Sequence, residues 1–336
     1  MNPADTNVVS VMDVGGTHVT AATVDVTTRG ILNGQWFREP LNGNGDAAEI
    51  LSAIITCAAR LPTRPARPWA IAVPGPFDYK PGIARYAGVG KFDALNGVDL
   101  RTALMPHLPG AASISFHNDA DAFAIGEWWA GAANGHRSAA AITLGTGVGS
   151  AFLRDGHILQ HGPGIPPQGR ADLLRHDGTP LEETVSRRAI RRAYAHATGQ
   201  SPAPDVREIT QHARQGDQAA TEILTRTFHT LGTVLGPHLA EFAPEVLVVG
   251  GSIAAAWDLL APPLRSGLTD ADPRTAPIAL KPARHPTEAP LLGAAYLDRM
   301  HEPPDEIAAM VSFVAGPEGR FINGAALVID EGMIAG

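Results

Sequence analysis

The sequence predicts an α/β protein. Four apolar runs end in glycine clusters, and they read VVSVMDVGG, AIAVPGP, SAAAITLGTGVG and EVLVVGGS. Strands of a parallel sheet are covered on both faces, so they read as continuous apolar segments followed by turns. Helical patterns separate these runs at 47–61, 119–133, 183–197, 219–242 and 290–300. Strands that alternate with helices indicate the α/β class.

Two strand and turn units resemble each other, MDVGGTHVTAATV near the start and ITLGTGVGSAFLR in the middle. Each reads as a strand, a Gly-Thr turn and a second strand, which predicts a hairpin in each of two related lobes. We expect a small N-terminal lobe at 1–118, a large lobe at 119–300 whose last helix can return to the small lobe, and an extra segment at 301–336. Runs rich in proline and glycine predict loops at 61–68, 162–180 and 262–277.

Composition and charge exclude several classes of protein. Of the 336 residues, 44% are apolar and 18% are charged, which is ordinary for a globular chain of two domains. The net charge of −8 and the lack of a basic run argue against nucleic-acid binding. A single cysteine, Cys57, excludes a disulfide framework, and its apolar setting predicts a buried thiol. No run of about 18 apolar residues marks a membrane span, so we expect a cytoplasmic protein with no membrane partner.

Three glycine-containing turns have the composition of phosphate-binding turns. Asp13 is followed by Gly15, Gly16 and Thr17, so backbone N–H groups and a hydroxyl can approach an anion. Asp13 could also hold Mg²⁺, directly or through water, whereas the alternative for this turn is a plain tight hairpin. The other two turns consist of Gly145, Thr146 and Gly147 and of Gly250, Gly251 and Ser252. The third turn precedes a predicted helix, whose N-terminus favours anions.

Asn118 and Asp119 stand between the first two turns, where a helical pattern begins. An ionised Asp119 could orient a hydroxyl group and accept its proton during attack on a phosphoryl group. Asn and Asp are also favoured as helix caps, so the alternative is a purely structural role.

Six motifs together resemble the ROK family (repressor, open reading frame, kinase). In order, they are DVGGTH at 13–18, VPGP at 73–76, HNDADAFAIGE at 117–127, LGTGVG at 144–149, LVVGGS at 247–252 and LLGAA at 291–295. The resemblance implies an actin-like, hexokinase-like ATPase fold with two α/β lobes flanking a cleft. It also implies transfer of the γ-phosphoryl group of ATP, with Mg²⁺, to a sugar hydroxyl. ROK repressors carry a DNA-binding domain ahead of this module, and we expect none here.

The resemblance also implies roles for individual residues. Asp119 corresponds to the catalytic base and Asn118 to a sugar ligand, while Gly75 and Pro76, with Pro74, correspond to the backbone wall of the sugar pocket. The nucleotide-binding positions are Asp13, Gly15, Gly16, Thr17, Gly145, Thr146, Gly147, Gly250, Gly251 and Ser252.

The segment GPGIPPQGRADLLRHDGTPLEE departs from the family. Typical members carry a Glu and a His that grip sugar hydroxyls here, followed by a cysteine-rich zinc knuckle. In this chain Arg170 stands at the position of the Glu and Leu173 at that of the His, unless a shift of register brings Asp172 or His176 into those roles. Glu182 corresponds to a further sugar contact.

The zinc cysteines of the knuckle are absent. His161 and His176 remain in the segment, but without a thiolate and with unsuitable spacing they predict no structural zinc.

The end of the sequence resembles another kind of protein. PDEIAAMVSF, GRFING and ALVIDEGM are similar to the closing helix and last strand of a short-chain dehydrogenase, but the Tyr-x-x-x-Lys pair of such enzymes is missing. We interpret 301–336 as a remnant without redox activity that packs on the kinase or pairs at an oligomer contact, and we expect a homodimer.

The loss of the Glu and His bears on the substrate, because groups that pair with substrate hydroxyls dominate polar specificity. The leading hypothesis is a kinase for the primary hydroxyl of a glucose-like polyol, in particular a seven-carbon cyclitol such as 2-epi-5-epi-valiolone, with a 7-phosphate product in aminocyclitol biosynthesis. Such a ring has no anomeric oxygen pair to grip. Rival hypotheses are a glucokinase, a kinase for the 6-position of kanosamine, and a non-catalytic sugar-binding protein.

Overall fold

The computed structural model describes residues 7–63 and 67–301. The strands are β1 (Val8–Val14), β2 (His18–Asp25), β3 (Gly30–Pro40), β4 (Arg67–Val73), β5 (Phe77–Asp78), β6 (Ile83–Ala84), β7 (Ala111–Asn118), β8 (Ser138–Leu144), β9 (Val148–Arg154), β10 (His157–Leu159), β11 (Arg175–His176), β12 (Thr179–Pro180), β13 (Val246–Gly250) and β14 (Ala279–Pro282). The helices are α1 (Ala47–Ala58), α2 (Leu100–Leu104), α3 (Asp119–Ala130), α4 (Glu182–Val185), α5 (Arg187–Thr198), α6 (Val206–Arg214), α7 (Gln218–Phe242), α8 (Trp257–Ala271) and α9 (Ala289–His301). The dehydrogenase-like segment, apart from its first residue, lies outside the described residues.

Two five-stranded sheets share one plan. Their strand orders are β3-β2-β1-β4-β7 and β10-β9-β8-β13-β14. In the first sheet β1 pairs antiparallel with β2 and parallel with β4, and in the second β8 pairs antiparallel with β9 and parallel with β13. The hairpins β1-β2 and β8-β9 are the two similar units of the sequence. The predicted duplication of the hairpin and the α/β class are therefore confirmed.

The four apolar runs form the central strands β1, β4, β8 and β13. All five residues of β13 are buried, as its continuous apolar sequence predicts. The helix predicted near 47–61 is α1, which begins where the Asp46 carboxylate accepts a hydrogen bond from the Glu49 N–H. Its apolar face buries Ile50, Ile54 and Cys57 at helical spacing, so the predicted burial of the thiol is confirmed.

Helix α3 lies between the two sheets. Ala122 and Trp129 pack with strands of the first sheet and with α9, whereas Phe123 and Ile125 pack with strands of the second sheet. Helices α3 and α9 cross in close contact because both carry glycine at the crossing. A Cβ atom on Gly293 would lie 1.7 Å from the Ala122 carbonyl oxygen. The LLGAA motif thus provides a close helix crossing that ties both sheets to α3.

One predicted loop is wrong. Residues 262–271 belong to α8, although Pro262 and Pro263 lie inside this helix. Helix α8 packs tightly against α7, since a Cβ atom on Gly267 would lie 2.0 Å from the His229 carbonyl oxygen. Burial of Leu264 and its apolar neighbours against α7 outweighs the two missing N–H donors.

The helix predicted at 183–197 is broken in two. Ser186 separates α4 from α5, and its side chain caps α5 by accepting a hydrogen bond from the Ala189 N–H. Serine competes with helical hydrogen bonds and is favoured at this position. The break directs the backbone N–H of Arg187 to the Gly145 carbonyl oxygen, at 2.9 Å. The start of α5 is thereby fixed to the second glycine turn.

Candidate active site

The motifs lie at the carboxyl ends of parallel strands, the edge of α/β sheets where ligands bind. Asp13 is the penultimate residue of β1, Asn118 ends β7, and Gly250 ends β13. The second sheet reaches the start of α3, because a Cβ atom on Gly149 would lie 2.9 Å from the Cβ atom of Ala120. The first residue of α3, which is Asp119, therefore lies between the two sheets.

Asn118 is the cap of α3. Its Oδ1 atom accepts hydrogen bonds from the N–H groups of Ala120 and Asp121, at 3.0 and 3.1 Å. Its Nδ2 atom donates to the hydroxyl of Tyr79 at 2.9 Å. Of Asn118 and Asp119, it is therefore Asn118 that has the structural role of a helix cap. Asp119 is the first helical residue and remains partly exposed.

Three carboxyl groups gather at this point, and each residue keeps part of its surface exposed. Desolvation and the carboxylate of Asp119 raise the pKa of Asp13 to about 7, against the opposing charge of Arg38. The same two causes raise the pKa of Asp121 to about 7. Desolvation also raises the pKa of Asp119, and the charge of Lys91 opposes that rise. Such a cluster favours a proton or a cation over three bare negative charges.

The first glycine turn is held by backbone hydrogen bonds on both sides. The N–H of Gly15 donates to the His18 carbonyl oxygen at 2.9 Å, which closes the β1-β2 hairpin. The carbonyl oxygens of Gly16 and Thr17 accept from the N–H groups of Gly43 and Leu41, at 3.0 and 2.9 Å. The hairpin turn considered as an alternative is therefore present, and the side chain of Thr17 is exposed at its tip.

The second and third turns lie side by side. A Cβ atom on Gly145 would lie 3.9 Å from the Oγ atom of Ser252. Gly251 has a φ of +82°, and a Cβ atom there would lie 2.2 Å from the Leu144 carbonyl oxygen. Glycine is required at this position by both the backbone angle and the close approach to β8. Thr146 is exposed at the tip of the second turn.

The segment Pro74 to Pro76 forms a fixed wall beside Asn118. The Tyr86 hydroxyl donates to the Pro74 carbonyl oxygen at 2.9 Å, and the Arg85 N–H donates to the Pro76 carbonyl oxygen at 3.2 Å. A Cβ atom on Gly75 would lie 3.5 Å from the Tyr79 hydroxyl oxygen and 3.9 Å from Nδ2 of Asn118. Glycine leaves the hydrogen-bonded pair of Asn118 and Tyr79 uncovered on this side.

The family-divergent segment is anchored beside the second hairpin. The Ser150 hydroxyl donates to the Gly169 carbonyl oxygen at 2.6 Å and accepts from the Ala171 N–H at 2.8 Å. Arg170, held between these two points, forms a two-pronged ion pair with Asp172, at 2.6 and 3.2 Å. Leu173 is 46% exposed.

Arg170 interacts electrostatically with groups other than Asp172. Its pKa is raised above its usual value, first by the hydrogen bond to Asp172 and further by Glu182 and Tyr79. The Oε2 atom of Glu182 accepts from the Val148 N–H at 3.2 Å and would lie 2.6 Å from a Cβ atom on Gly147. Glu182, assigned to the sugar by resemblance, therefore also borders the second glycine turn.

The divergent segment also carries two histidines, His161 and His176. His161 is exposed, and His176 lies in the short β11-β12 hairpin beside Asp177, at 3.5 Å. Within 7–63 and 67–301, no group of three or more His, Cys, Asp or Glu side chains is arranged to hold a metal ion. The absence of structural zinc stays a prediction. In the same part of the chain, no helix has the length and apolar character of a membrane span.

Sequence reasoning missed three residues of the site. Tyr79 follows the VPGP motif by three positions, Asp121 lies two positions after Asp119, and Lys91 is one of three lysines in the sequence. Asp121 could have been noticed as a second carboxylate on the same helical turn. Tyr79 and Lys91 lie on connections after β4, whose path no local pattern specifies.

Comparison with known proteins identifies the family. A model of the ROK family matches residues 9–300. The chain belongs to the ROK family. Among its relatives, a glucokinase of Thermotoga maritima is 30% identical over 220 residues, which are 60% of this chain and 68% of that protein. An N-acetylmannosamine kinase of Citrobacter koseri is 29% identical over 85% of this chain and 97% of that protein. The match to a glucokinase of Halalkalibacterium halodurans spans 51% of that protein.

Solved structures share the ROK fold. A ROK hexokinase from Thermus thermophilus has a TM-score of 0.67 at 25% identity, with 87% of this chain and 99% of that chain covered. A glucokinase from Streptomyces griseus in complex with glucose and AMPPNP has a TM-score of 0.69 at 24% identity, with the same coverage. The actin-like, hexokinase-like fold is thus confirmed, and the chain is a ROK sugar kinase, a phosphotransferase with an alcohol group as acceptor. This finding disfavours the hypothesis of a non-catalytic sugar-binding protein.

Proposed function

We propose that this ROK kinase transfers the γ-phosphoryl group of ATP to the primary hydroxyl of a seven-carbon cyclitol of the 2-epi-5-epi-valiolone type, which yields a 7-phosphate. The observation that carries the proposal is the ion pair of Arg170 and Asp172, which stands where typical ROK sugar kinases are expected to carry the Glu and His that grip the sugar. The hydrogen-bond donors and acceptors of a guanidinium and a carboxylate differ from those of a Glu and a His. The end of the substrate that lies away from the phosphorylated hydroxyl therefore differs from that of glucose.

The surroundings of Arg170 support a role as a hydrogen-bond donor to the substrate. The guanidinium is already charge-paired with Asp172 and lies within electrostatic reach of Tyr79 and Glu182. It therefore adds planar donors without a large net charge, which suits a neutral polyol better than an acid. A cyclitol has no ring oxygen beside an anomeric hydroxyl, and a fork of N–H donors can pair with its ring hydroxyls or carbonyl instead.

Asp119 is proposed as the general base. It is partly exposed between the two sheets, and desolvation raises its pKa toward the range in which a carboxylate can accept a proton efficiently. In the proposed step, the primary hydroxyl of the substrate loses its proton to Asp119 as its oxygen attacks the γ-phosphorus. Asn118 and Tyr79 would hold the neighbouring hydroxyl groups, since their amide and phenol face the gap left by Gly75.

The three glycine turns are proposed to bind the nucleotide. The N–H groups of Gly15 and Gly145 bond within their own turns, so those of Gly16, Thr17, Thr146 and Gly147 would donate to phosphate oxygens. The turn at Gly250–Ser252 would lie toward the adenosine. The donor set fits Mg²⁺, because Asp13 presents a carboxyl group at which burial and the negative charge of Asp119 both disfavour a bare carboxylate, a cost that a cation would offset. When bound, Mg²⁺ would neutralise phosphate charge, with Asp13 as its ligand directly or through water.

Glucose and kanosamine are the rival acceptors. The names of the relatives in Thermotoga maritima and Streptomyces griseus support glucose. An amino-glucose is compatible with the carboxylates of Asp172 and Glu182, which could pair with an ammonium group.

The test measures ADP formation by the purified protein with glucose, N-acetylmannosamine, kanosamine and 2-epi-5-epi-valiolone, and identifies the product by phosphorus NMR. We expect the highest kcat/KM with the cyclitol. A kcat/KM for glucose that equals or exceeds that of the cyclitol would contradict the substrate assignment. The variant Asp119→Asn should lower kcat by about 100-fold or more, and full turnover in that variant would show that the base is another group.

A further inference from the structure

The segment after β6 brings a lysine to the first glycine turn. Phe92 is buried and packs its ring on Tyr86 at a centroid distance of 5.3 Å. Its N–H donates to the Gly43 carbonyl oxygen at 2.6 Å, and the Gly43 N–H donates in turn to Gly16, at 3.0 Å. Lys91, which precedes Phe92, is thereby held beside the first turn by a chain of backbone hydrogen bonds.

The preceding residues form a turn closed by an aspartate. The carboxylate of Asp93 accepts from the N–H groups of Val89 and Gly90, at 3.0 and 3.2 Å. Together with the burial of Phe92, these bonds fix the backbone on both sides of Lys91. The position of the lysine backbone is thus defined by the fold, not by the lysine side chain itself.

The side chain of Lys91 extends across the first turn toward Asp119. Its Cδ atom lies 3.6 Å from the position that a Cβ atom on Gly16 would take, so the aliphatic stem covers the glycine backbone. Lys91 is half-buried, and its charge opposes the rise that burial causes in the pKa of Asp119. Arg38 likewise opposes the rise in the pKa of Asp13.

We propose that Lys91 is a catalytic residue whose ammonium group contacts the phosphoryl group during transfer. The inference depends on the sugar-kinase activity of the chain and on the first turn as a phosphate site, but not on the identity of the acceptor. The transferred group carries negative charge on its equatorial oxygens, and the first turn that would bind it follows Asp13, which lies within electrostatic reach of Asp119. A lysine is a compact point charge suited to phosphate, and the stem over Gly16 delivers it to this location.

The reaction is balanced without a further reactant. The acceptor oxygen forms a bond to the γ-phosphorus as the bond from that phosphorus to the bridging oxygen breaks, and the electron pair of that bond leaves with ADP. The proton of the acceptor hydroxyl passes to Asp119. Lys91 exchanges no proton and acts only through its charge and its N–H donors.

The test compares Lys91→Met, Lys91→Gln and Lys91→Arg with Lys80→Met as the control. Lys80 is exposed in the same lobe, and its substitution makes the same change of charge. With whichever acceptor the wild type uses best, we expect kcat to fall about 100-fold in Lys91→Met and Lys91→Gln. Lys91→Arg should recover part of that loss, and Lys80→Met should retain wild-type kcat and KM.

Separate binding measurements distinguish a catalytic lysine from a structural one. Calorimetric titration with AMPPNP and with the acceptor should show affinities within about threefold of the wild type for Lys91→Gln, because the charge acts mainly on the transition state. The inference fails if both neutral variants keep kcat within about threefold of the wild type, or if the loss lies entirely in acceptor affinity. If the wild type phosphorylates none of the acceptors, the substrate proposal fails. The role of Lys91 is then tested by the rate of ATP hydrolysis, which should be lower in Lys91→Gln than in the wild type.

Discussion

The side-chain amide of Asn118 donates a hydrogen bond of 2.9 Å to the hydroxyl of Tyr79 while its carbonyl oxygen caps α3. One side chain thereby links the loop that follows β4 to the helix that begins with Asp119. The cap fixes the helix start, and the amide holds the phenol in the gap beside Gly75. A structural cap and the proposed substrate-binding position are thus combined in one residue.

Tyr79→Phe should weaken acceptor binding. The change removes the hydroxyl that accepts from Asn118 and leaves the ring in contact with Phe77. We expect KM for the acceptor to rise about 10-fold, since a lost hydrogen bond of this kind is equivalent to about 1 to 1.5 kcal/mol, with a smaller change in kcat. Steady-state kinetics at saturating ATP provide the measurement. Tyr194→Phe is the control, because it removes a hydroxyl that donates to Asp217, a residue with no part in the proposed site, and its KM should not change. An unchanged KM in Tyr79→Phe would exclude a role in acceptor binding.

Arg170→Ala should act on the acceptor and not on the nucleotide. Loss of the guanidinium leaves Asp172 without its ion-pair partner and removes the planar donors proposed to read the ring. We expect KM for the acceptor to rise at least about 10-fold while KM for ATP stays within about twofold. Arg170→Lys should restore little, because an ammonium cannot form the two-pronged pair. The control is Arg137→Ala, which breaks an exposed pair with Asp155. A rise in the KM for ATP alone would place Arg170 at the nucleotide instead.

Asp121→Asn should stabilise the protein at alkaline pH. Burial and Asp119 raise the pKa of Asp121 to about 7, above its value of 3.8 in an unfolded chain. The folded state therefore holds this proton more tightly, and stability from this group is lost as the pH rises through about 7. Replacing the carboxyl group by an amide removes that loss, so we expect the free energy of unfolding to gain about 1 to 2 kcal/mol at pH 8.5 and much less at pH 5. Urea unfolding at both pH values measures the difference.

The matched control for this pH dependence is Asp155→Asn. The ion pair with Arg137 lowers the pKa of Asp155, so its amide variant should gain nothing at high pH. An equal gain for Asp121→Asn at both pH values would mean that the effect does not arise from ionisation.

Gly293→Ala should weaken the crossing of α3 and α9. The added Cβ atom would lie 1.7 Å from the Ala122 carbonyl oxygen and 2.9 Å from the Gly126 nitrogen, which forces the helices apart. We expect a loss of about 2 to 3 kcal/mol in the free energy of unfolding, together with a lower kcat because Asp119 is carried on α3. Thermal and urea unfolding measure the first effect. Gly30→Ala is the control, because the nearest atom to its Cβ would be at 3.8 Å. Equal stability of the two variants would contradict the close crossing.

Much of the fold could be predicted from local patterns. Continuous apolar runs that end in glycine specify β1, β4, β8 and β13, since buried parallel strands require such sequences. The periodic runs that became α1, α3, α7 and α9 were also predicted close to their ends. The errors have two different causes. Pro262 and Pro263 are held in α8 by its packing on α7, which overrides their local preference, whereas Ser186 follows its own local preference as a helix cap and separates α4 from α5.

The sequence by itself determined the duplicated hairpin, the glycine turns and the carboxylate at the start of α3, because backbone-limited turns and helix starts need particular residues at particular spacings. Only the tertiary structure decided what joins that carboxylate. Tyr79 and Lys91 lie on connections whose paths are set by long-range contacts, such as the hydrogen bond from Phe92 to Gly43. Arg170 was expected from the sequence, but its position is set by the hydrogen bonds of Ser150 to the divergent segment. Local sequence patterns reflect only the conformational preferences of residues that are close in the chain. Which distant loops come together at the carboxyl ends of the strands depends on how both sheets pack around α3.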